Sequence, residues 1–250
     1  MRTKLLVTCC AGVLSANLVV AQQPQTPQSP QTPQPNVTGP QVVPLTAACL
    51  YRGWRATKVL GADVASRSNE RLGTARNIVI GATGSIEALI VEGVALPGFP
   101  DFVYRVPRPK IAIDKLPGTI SADIQPGKQE QHGLLSLKDK PPYEFSVTQV
   151  IGDYARLQAG LTYGYVSDVV FTHDGRMFAI LVTRDSATGG GTFAFGFPGT
   201  IWPWNPAAGY YGLPYVTTSQ TDAAAIRIDP ERFGKVTNQE ECARQGQPMP

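Results

Sequence analysis

The feature that most limits what this chain can fold into is an internal repeat. Sliding the sequence along itself gives a match at a constant offset of 91 positions, pairing Thr57 with Thr148, Val59 with Val150, Gly61 with Gly152 and Gly73 with Gly164. It continues without a gap through Val79 and Val170, Gly84 and Gly175, Ala88 and Ala179, Val91 and Val182, Gly98 and Gly189, Phe102 and Phe193, and Pro107 and Pro198. Between these identities apolar residues face apolar ones, as Leu60 faces Ile151, Ile78 faces Val169 and Leu89 faces Ile180. Self-similarity at a fixed spacing is the mark of one structural unit used twice. Two tandem copies of a small domain are the simplest account.

Each repeat reads as strands. ARNIVIGATGSIEALIVEG is a β-rich run, a glycine-containing turn and a second β-rich run, which is a hairpin pattern. YVSDVVFTHDGRMFAILVT repeats it, with Asp174-Gly175 where Thr83-Gly84 stood. Asp-Gly between two such runs predicts a tight primed turn, because its central residues need positive φ and glycine supplies it without steric cost. Gly84, Asp174 and Gly175 are therefore turn residues. Helical periodicity is hard to find, and 25 glycines and 22 prolines spread along the chain suit many short strands joined by turns. The expected fold class is all-β. His173 sits on the hairpin shoulder where the first repeat has Ala82, with no second imidazole, cysteine or nucleophile near it in sequence. It reads as a solvent-facing turn residue, and His132 as a residue of the polar link between the repeats.

The first residues speak to compartment. MRTKLLVTCCAGVLSANLVVAQQ places Arg2 and Lys4 ahead of an apolar run and small residues before Gln22, the layout of a secretory signal peptide over residues 1–21. Thr8, Ser15 and Asn17 interrupt the run, which falls short of the roughly 18–20 apolar residues a membrane anchor needs. Export to the periplasm, with no membrane insertion after cleavage, is the expectation. Arg2 and Lys4 supply two of the three net positive charges, so the mature chain is nearly neutral. A basic face for nucleic acid or anionic lipid would need clustered Lys and Arg, and the sequence has no such run. Cys9 and Cys10 leave with the signal. In an oxidising compartment the remaining Cys49 and Cys242 make a disulfide candidate that would clip the ends of the mature domain together.

Residues 22–44 are dominated by Gln, Pro, Thr and Ser and read as a disordered spacer. A first domain over residues 50–120, a link over 121–143, a second domain over 144–236 and a tail over 237–250 complete the organisation.

The order of signals carries a resemblance. Each repeat opens on Val-Leu-Gly or Val-Ile-Gly (Val59 to Gly61; Val150 to Gly152), then sets a glycine at the head of a strand (Gly73; Gly164). A hairpin with its turn glycine follows, then an Ala-containing apolar strand (EALIV; FAILV) and a short strand ending in proline. This resembles the PRC-barrel domain, the small β-barrel of photosynthetic reaction-centre H subunits and ribosome-maturation factors. The likeness covers roughly Trp54 to Pro107 and, less well, Phe145 to Pro198. It implies two tandem small β-barrels and an interaction module rather than a catalyst, with an unknown protein partner in the cell envelope.

The chain has no Gly-x-Ser-x-Gly elbow, no His-Glu-x-x-His, no phosphate-binding Gly-x-x-x-x-Gly-Lys and no acidic calcium loop. No catalytic residue, metal ligand or cofactor is expected. The candidate binding surface is TIWPWNPAAGYYGLPY, with Trp202, Trp204, Tyr210, Tyr211 and Tyr215 among prolines and glycines. Aromatics on a stiffened loop can form a platform for protein, or for a glycan or small molecule at a cleft between the barrels. They can also pack between the repeats, which the apolar character of the segment favours.

Overall fold

The computed structural model describes residues 45–93, 103–112, 120–125, 144–199, 204–205 and 209–234. The signal peptide, the spacer, most of the link, the tail, His132, Trp202 and Cys242 lie outside the described residues. The first repeat supplies helix α1 (Ala47–Arg52) and strands β1 (Trp54–Arg55), β2 (Asp63–Ser66), β3 (Arg71–Ile80), β4 (Ile86–Gly93), β5 (Val103–Pro107) and β6 (Ile120–Ala122). The second supplies β7 (Phe145–Ser146), helix α2 (Val147–Val150), β8 (Tyr154–Arg156), β9 (Thr162–Phe171), β10 (Met177–Arg184) and β11 (Gly191–Gly196). It ends with β12 (Trp204–Asn205), β13 (Tyr210–Gly212), helix α3 (Thr218–Ala224) and β14 (Ile226–Ile228).

These strands form two mixed sheets. One runs β5-β4-β3-β2-β6 and the other β12-β13-β8-β9-β10-β11-β14. The molecule is thus β-rich, but the end strands of neither sheet pair with each other, so neither closes into the expected barrel. Each sheet instead takes a short parallel strand on one flank, with Val64 facing Ile120 in the first and Ala155 facing Tyr211 in the second.

The repeat is legible in the ladders down to single bulges. The shift between Val64 and Ala65 on β2 recurs between Ala155 and Arg156 on β8, and the shift between Ala75 and Asn77 on β3 recurs between Val166 and Asp168 on β9. Gly73 explains why glycine heads the long strand in both repeats: a Cβ there would lie 2.0 Å from the Glu92 carbonyl oxygen, and one on Gly164 would lie 2.4 Å from that of Thr183. The gapless match does fail at the last strand. Ala88 faces Pro107 while Ala179 faces Gly196, so Pro107 corresponds to Gly196 and not to Pro198. The connection before β11 is shorter by two residues, and the equivalence resumes at β6 and β13.

The opening strands are exchanged between the sheets. β1 pairs with β9 of the second repeat, Trp54 against Phe171 and Arg55 against Val170, while β7 pairs with β3 of the first, Phe145 against Ile80 and Ser146 against Val79. These are the same contact made twice. At the turns, Ser85 bridges Arg176, its own counterpart; Ile86 N–H donates to the Gly175 carbonyl (2.9 Å) and Met177 N–H to the Gly84 carbonyl (2.8 Å). A local two-fold relation passes between the two hairpins, and the apolar core follows it. Trp54 stacks on Phe171 at 4.7 Å inside a cluster that also holds Val64, Ile78 and Leu89 of the first repeat and Val166 and Ile180 of the second. Burying one such indole removes about 150–250 Å² from water, worth at most roughly 4–6 kcal/mol.

Gly84 and Gly175 both have φ of +81°. Asp174 does not share the positive φ expected of a primed turn, since among the described residues Asn69 is the one non-glycine with positive φ. Gly175 N–H donates to the Thr172 carbonyl (3.0 Å) and Thr172 N–H to the Arg176 carbonyl (2.8 Å), which makes a three-residue loop with one left-handed position.

Helix α1 covers one outer sheet face. Thr46 caps it by accepting from Cys49 N–H (3.4 Å), and Leu50 and Tyr51 pack on Val170, Ala179, Leu181 and Ala194, joined by Ile228. Cys49 is fully buried, and the proposed partner Cys242 lies outside the described residues.

Candidate functional site

The aromatic segment divides when placed in the structure. Trp204 on β12 is buried: its indole N–H donates to Asp153 (2.8 Å) and its ring meets Phe145 edge-on at 4.8 Å. Tyr211 points into the core, and burial drives its phenol pKa upward. Tyr215 is half-buried against Phe195 (6.1 Å), which also raises its pKa. These three fill space between strands. Tyr210 alternates with Tyr211 along β13 and faces the other way.

Tyr210 belongs to a row that the sequence does not bring together. It faces Tyr154 of β8 across the parallel pair, and Tyr154 faces Tyr165 of β9 across the antiparallel one. Directly opposed residues share a sheet face, so three tyrosines stand side by side on adjacent strands. Tyr154 is 55% exposed and Tyr165 41%, two of the four large hydrophobic side chains exposed among the described residues. The other two, Leu161 and Val216, also belong to the second repeat.

Arg156 completes the row. Its guanidinium carbon lies 5.8 Å from the Tyr154 ring centroid and 5.2 Å from that of Tyr210, within cation–π range. Among the described residues it forms no ion pair, and its Nε is enclosed without a hydrogen-bond partner. Asp153, the neighbouring carboxylate in the chain, is engaged by the Trp204 indole.

The signal that would have exposed this face lies in the repeat itself. At the positions of Tyr154, Arg156 and Tyr165 the first repeat has Asp63, Ala65 and Thr74, with Asp63 ion-paired to Arg71 at 2.9 Å. The same backbone is therefore built twice, once with a small polar surface and once with an aromatic one.

Two further polar clusters tie the fold together. Asp168, 1% exposed, accepts from Arg55 Nε–H (2.7 Å), Thr57 N–H (3.1 Å), the Thr57 hydroxyl and Val169 N–H (2.8 Å). Near α3, Asp222 accepts from the Tyr163 phenol (2.7 Å) and from Arg184 (2.9 Å), whose guanidinium covers the Tyr163 ring at 4.5 Å. Burial first, then Asp222, pushes the Tyr163 phenol up to about 12. The carboxylates of both clusters are held by partners on the chain, while the Arg184 Nε, like that of Arg156, is enclosed without a hydrogen-bond partner. His173 is exposed, and Asp174 is bound by the Thr172 hydroxyl and Arg176 within its turn.

An apolar cavity of about 10 Å³ lies in the first repeat among Trp54, Val59, Ile78 and Leu89. That is room for about one water molecule. No protein-family model and no curated protein matches the chain.

Proposed function

We propose that this chain is an exported, non-catalytic module of the PRC-barrel type that binds a protein partner in the periplasm. The observation that carries the reading is the exposed pair Tyr154 and Tyr165, extended by the half-buried Tyr210 beside Arg156, set on a backbone that elsewhere in the chain uses Asp63 and Thr74. Tyrosine and arginine are the residue types enriched where interfaces concentrate their binding energy. An exposed aromatic group that folding does not require is the expected mark of such a surface. The other outlet for these aromatics is a glycan or small molecule between the repeats; the one-water cavity lies inside the first repeat and does not support it. In the same reading Cys49 and Cys242 form a bridge, which mass spectrometry of the unreduced mature protein would register as the loss of two hydrogens.

The test is affinity capture from envelope extract by the mature protein and by a variant in which Tyr154→Asp, Arg156→Ala and Tyr165→Thr give the second repeat the first repeat's residues. A protein held by the wild type and lost by the variant supports the reading. Capture of the same set by both overturns it.

A further inference from the structure

Resting on that binding reading, we infer that the tyrosine row takes an acidic, extended peptide segment, with a carboxylate seated on Arg156. The charge argument comes first. Arg156 lies against two aromatic rings, and its Nε–H is enclosed and unpaired. The Nε is enclosed, but the terminal guanidinium nitrogens are not and have no ion-pair partner among the described residues, so an acceptor from outside can reach them. A guanidinium offers a planar fork that matches a carboxylate with two parallel bonds. The neighbouring carboxylate, Asp153, is committed to Trp204. No carboxylate among the described residues pairs with Arg156, which leaves its charge for a partner's acid.

The shape argument fixes the rest. Adjacent strands lie about 4.8 Å apart, so three tyrosines on β13, β8 and β9 make a platform of roughly 10 Å, the length of about three extended residues at about 3.3 Å each. A peptide laid across the strands would set one acidic side chain on Arg156 and pack its neighbours on the rings. A bare anion would use the arginine and leave the platform idle. A neutral sugar would use the platform and leave the arginine uncompensated.

The experiment is a nuclear magnetic resonance titration of the full mature protein labelled with nitrogen-15, read at the Arg156 Nε–H and at the amides of Tyr154, Tyr165 and Tyr210. Probes are capped tetraglutamate, capped tetraglutamine, sodium acetate and chitohexaose. Tetraglutamate should shift all four signals saturably and bind at least tenfold more weakly to Arg156→Gln and to the Tyr154→Asp, Tyr165→Thr variant. The binding should also weaken as salt rises. Tetraglutamine, acetate and the sugar should leave the Arg156 signal unmoved. The inference falls if tetraglutamate produces no saturable shift, if acetate matches it, or if tetraglutamine or the sugar occupies the row instead. If the captured partner is lost on substitution while tetraglutamate fails, the binding surface stands and its acidic specificity does not.

Discussion

The strand that opens each repeat is held beneath the other repeat's sheet by a threonine, and the two fastenings differ in charge. On one side Thr57 is gripped by Asp168, which also binds Arg55; on the other Thr148 is gripped by Asn77, whose Oδ1 accepts from Thr148 N–H (3.3 Å) and whose Nδ2–H donates to the Thr148 hydroxyl (2.5 Å). Where the first repeat has Arg55 the second has Ser146, which serves the capping box of α2. A neutral pair is evidently enough to seat the strand. The charged version does something more: Arg55 also donates to the Pro230 carbonyl (3.1 Å) and lies 6.0 Å from the Phe233 ring, tying the chain's last described turn to its first strand. The repeats share what folding demands and diverge where one of them has acquired an extra task. The tyrosine row obeys the same rule on the outer surface.

This comparison can be broken most forcefully at the fastenings. Asp168→Ala strands a mostly buried Arg55, side chain 16% exposed, and leaves two backbone N–H groups unpaired. It should cost about 4 kcal/mol, against about 1 kcal/mol for the more exposed Asn77→Ala, both read from urea unfolding midpoints. Equal losses would mean that the charge adds nothing. Next in size, Gly73→Ala and Gly164→Ala drive a Cβ into the same carbonyl of the neighbouring strand in each repeat. Each should cost roughly 3 kcal/mol, with the larger loss at Gly73, whose φ of +153° a side chain also disfavours; a smaller loss there than at Gly164 would contradict this.

How far the sequence reaches follows from these same residues. The 91-residue spacing, the paired glycines and the hairpins are legible because they are local and occur twice. The exchange of β1 and β7 is not, because a two-residue strand carries no pattern that says which sheet it joins. Barrel closure is an expectation of the resemblance alone, and the sheets are open: the end strands, β5 and β6 in one and β12 and β14 in the other, do not pair with each other. In the aromatic segment, alternation along β13 decides that Tyr211 is core and Tyr210 surface, but Tyr154 and Tyr165 meet it only through pairings between strands. Arg156 had no signal of its own except its contrast with Ala65.

Smaller effects sharpen the same contrast. The second hairpin turn carries Asp174 where the first has Thr83 bonded to Ser85 (3.0 Å). Burial alone would raise the Asp174 carboxyl, but the Thr172 hydroxyl and Arg176 outweigh it and hold it below its ordinary value of 3.8. Its contribution is therefore present above pH 3.8 and is lost as pH falls through the lower value of the folded state. Asp174→Asn should reduce stability by less than about 1 kcal/mol at neutral pH. The deficit should shrink in acid unfolding curves below pH 3.8, and a deficit independent of pH would remove the ionic account of this turn.

The smallest expected effect bears on the claim that matters most, that the aromatic face of the second repeat exists for a partner and not for the fold. The measurement is urea unfolding of the full mature protein beside the Tyr154→Asp, Arg156→Ala, Tyr165→Thr variant. An unfolding free energy within about 0.5 kcal/mol of wild type, with an unchanged slope, is the expected result for surface substitutions that touch no core contact. A loss of about 2 kcal/mol or more would show that these residues hold the sheet together, and the face would then belong to the fold.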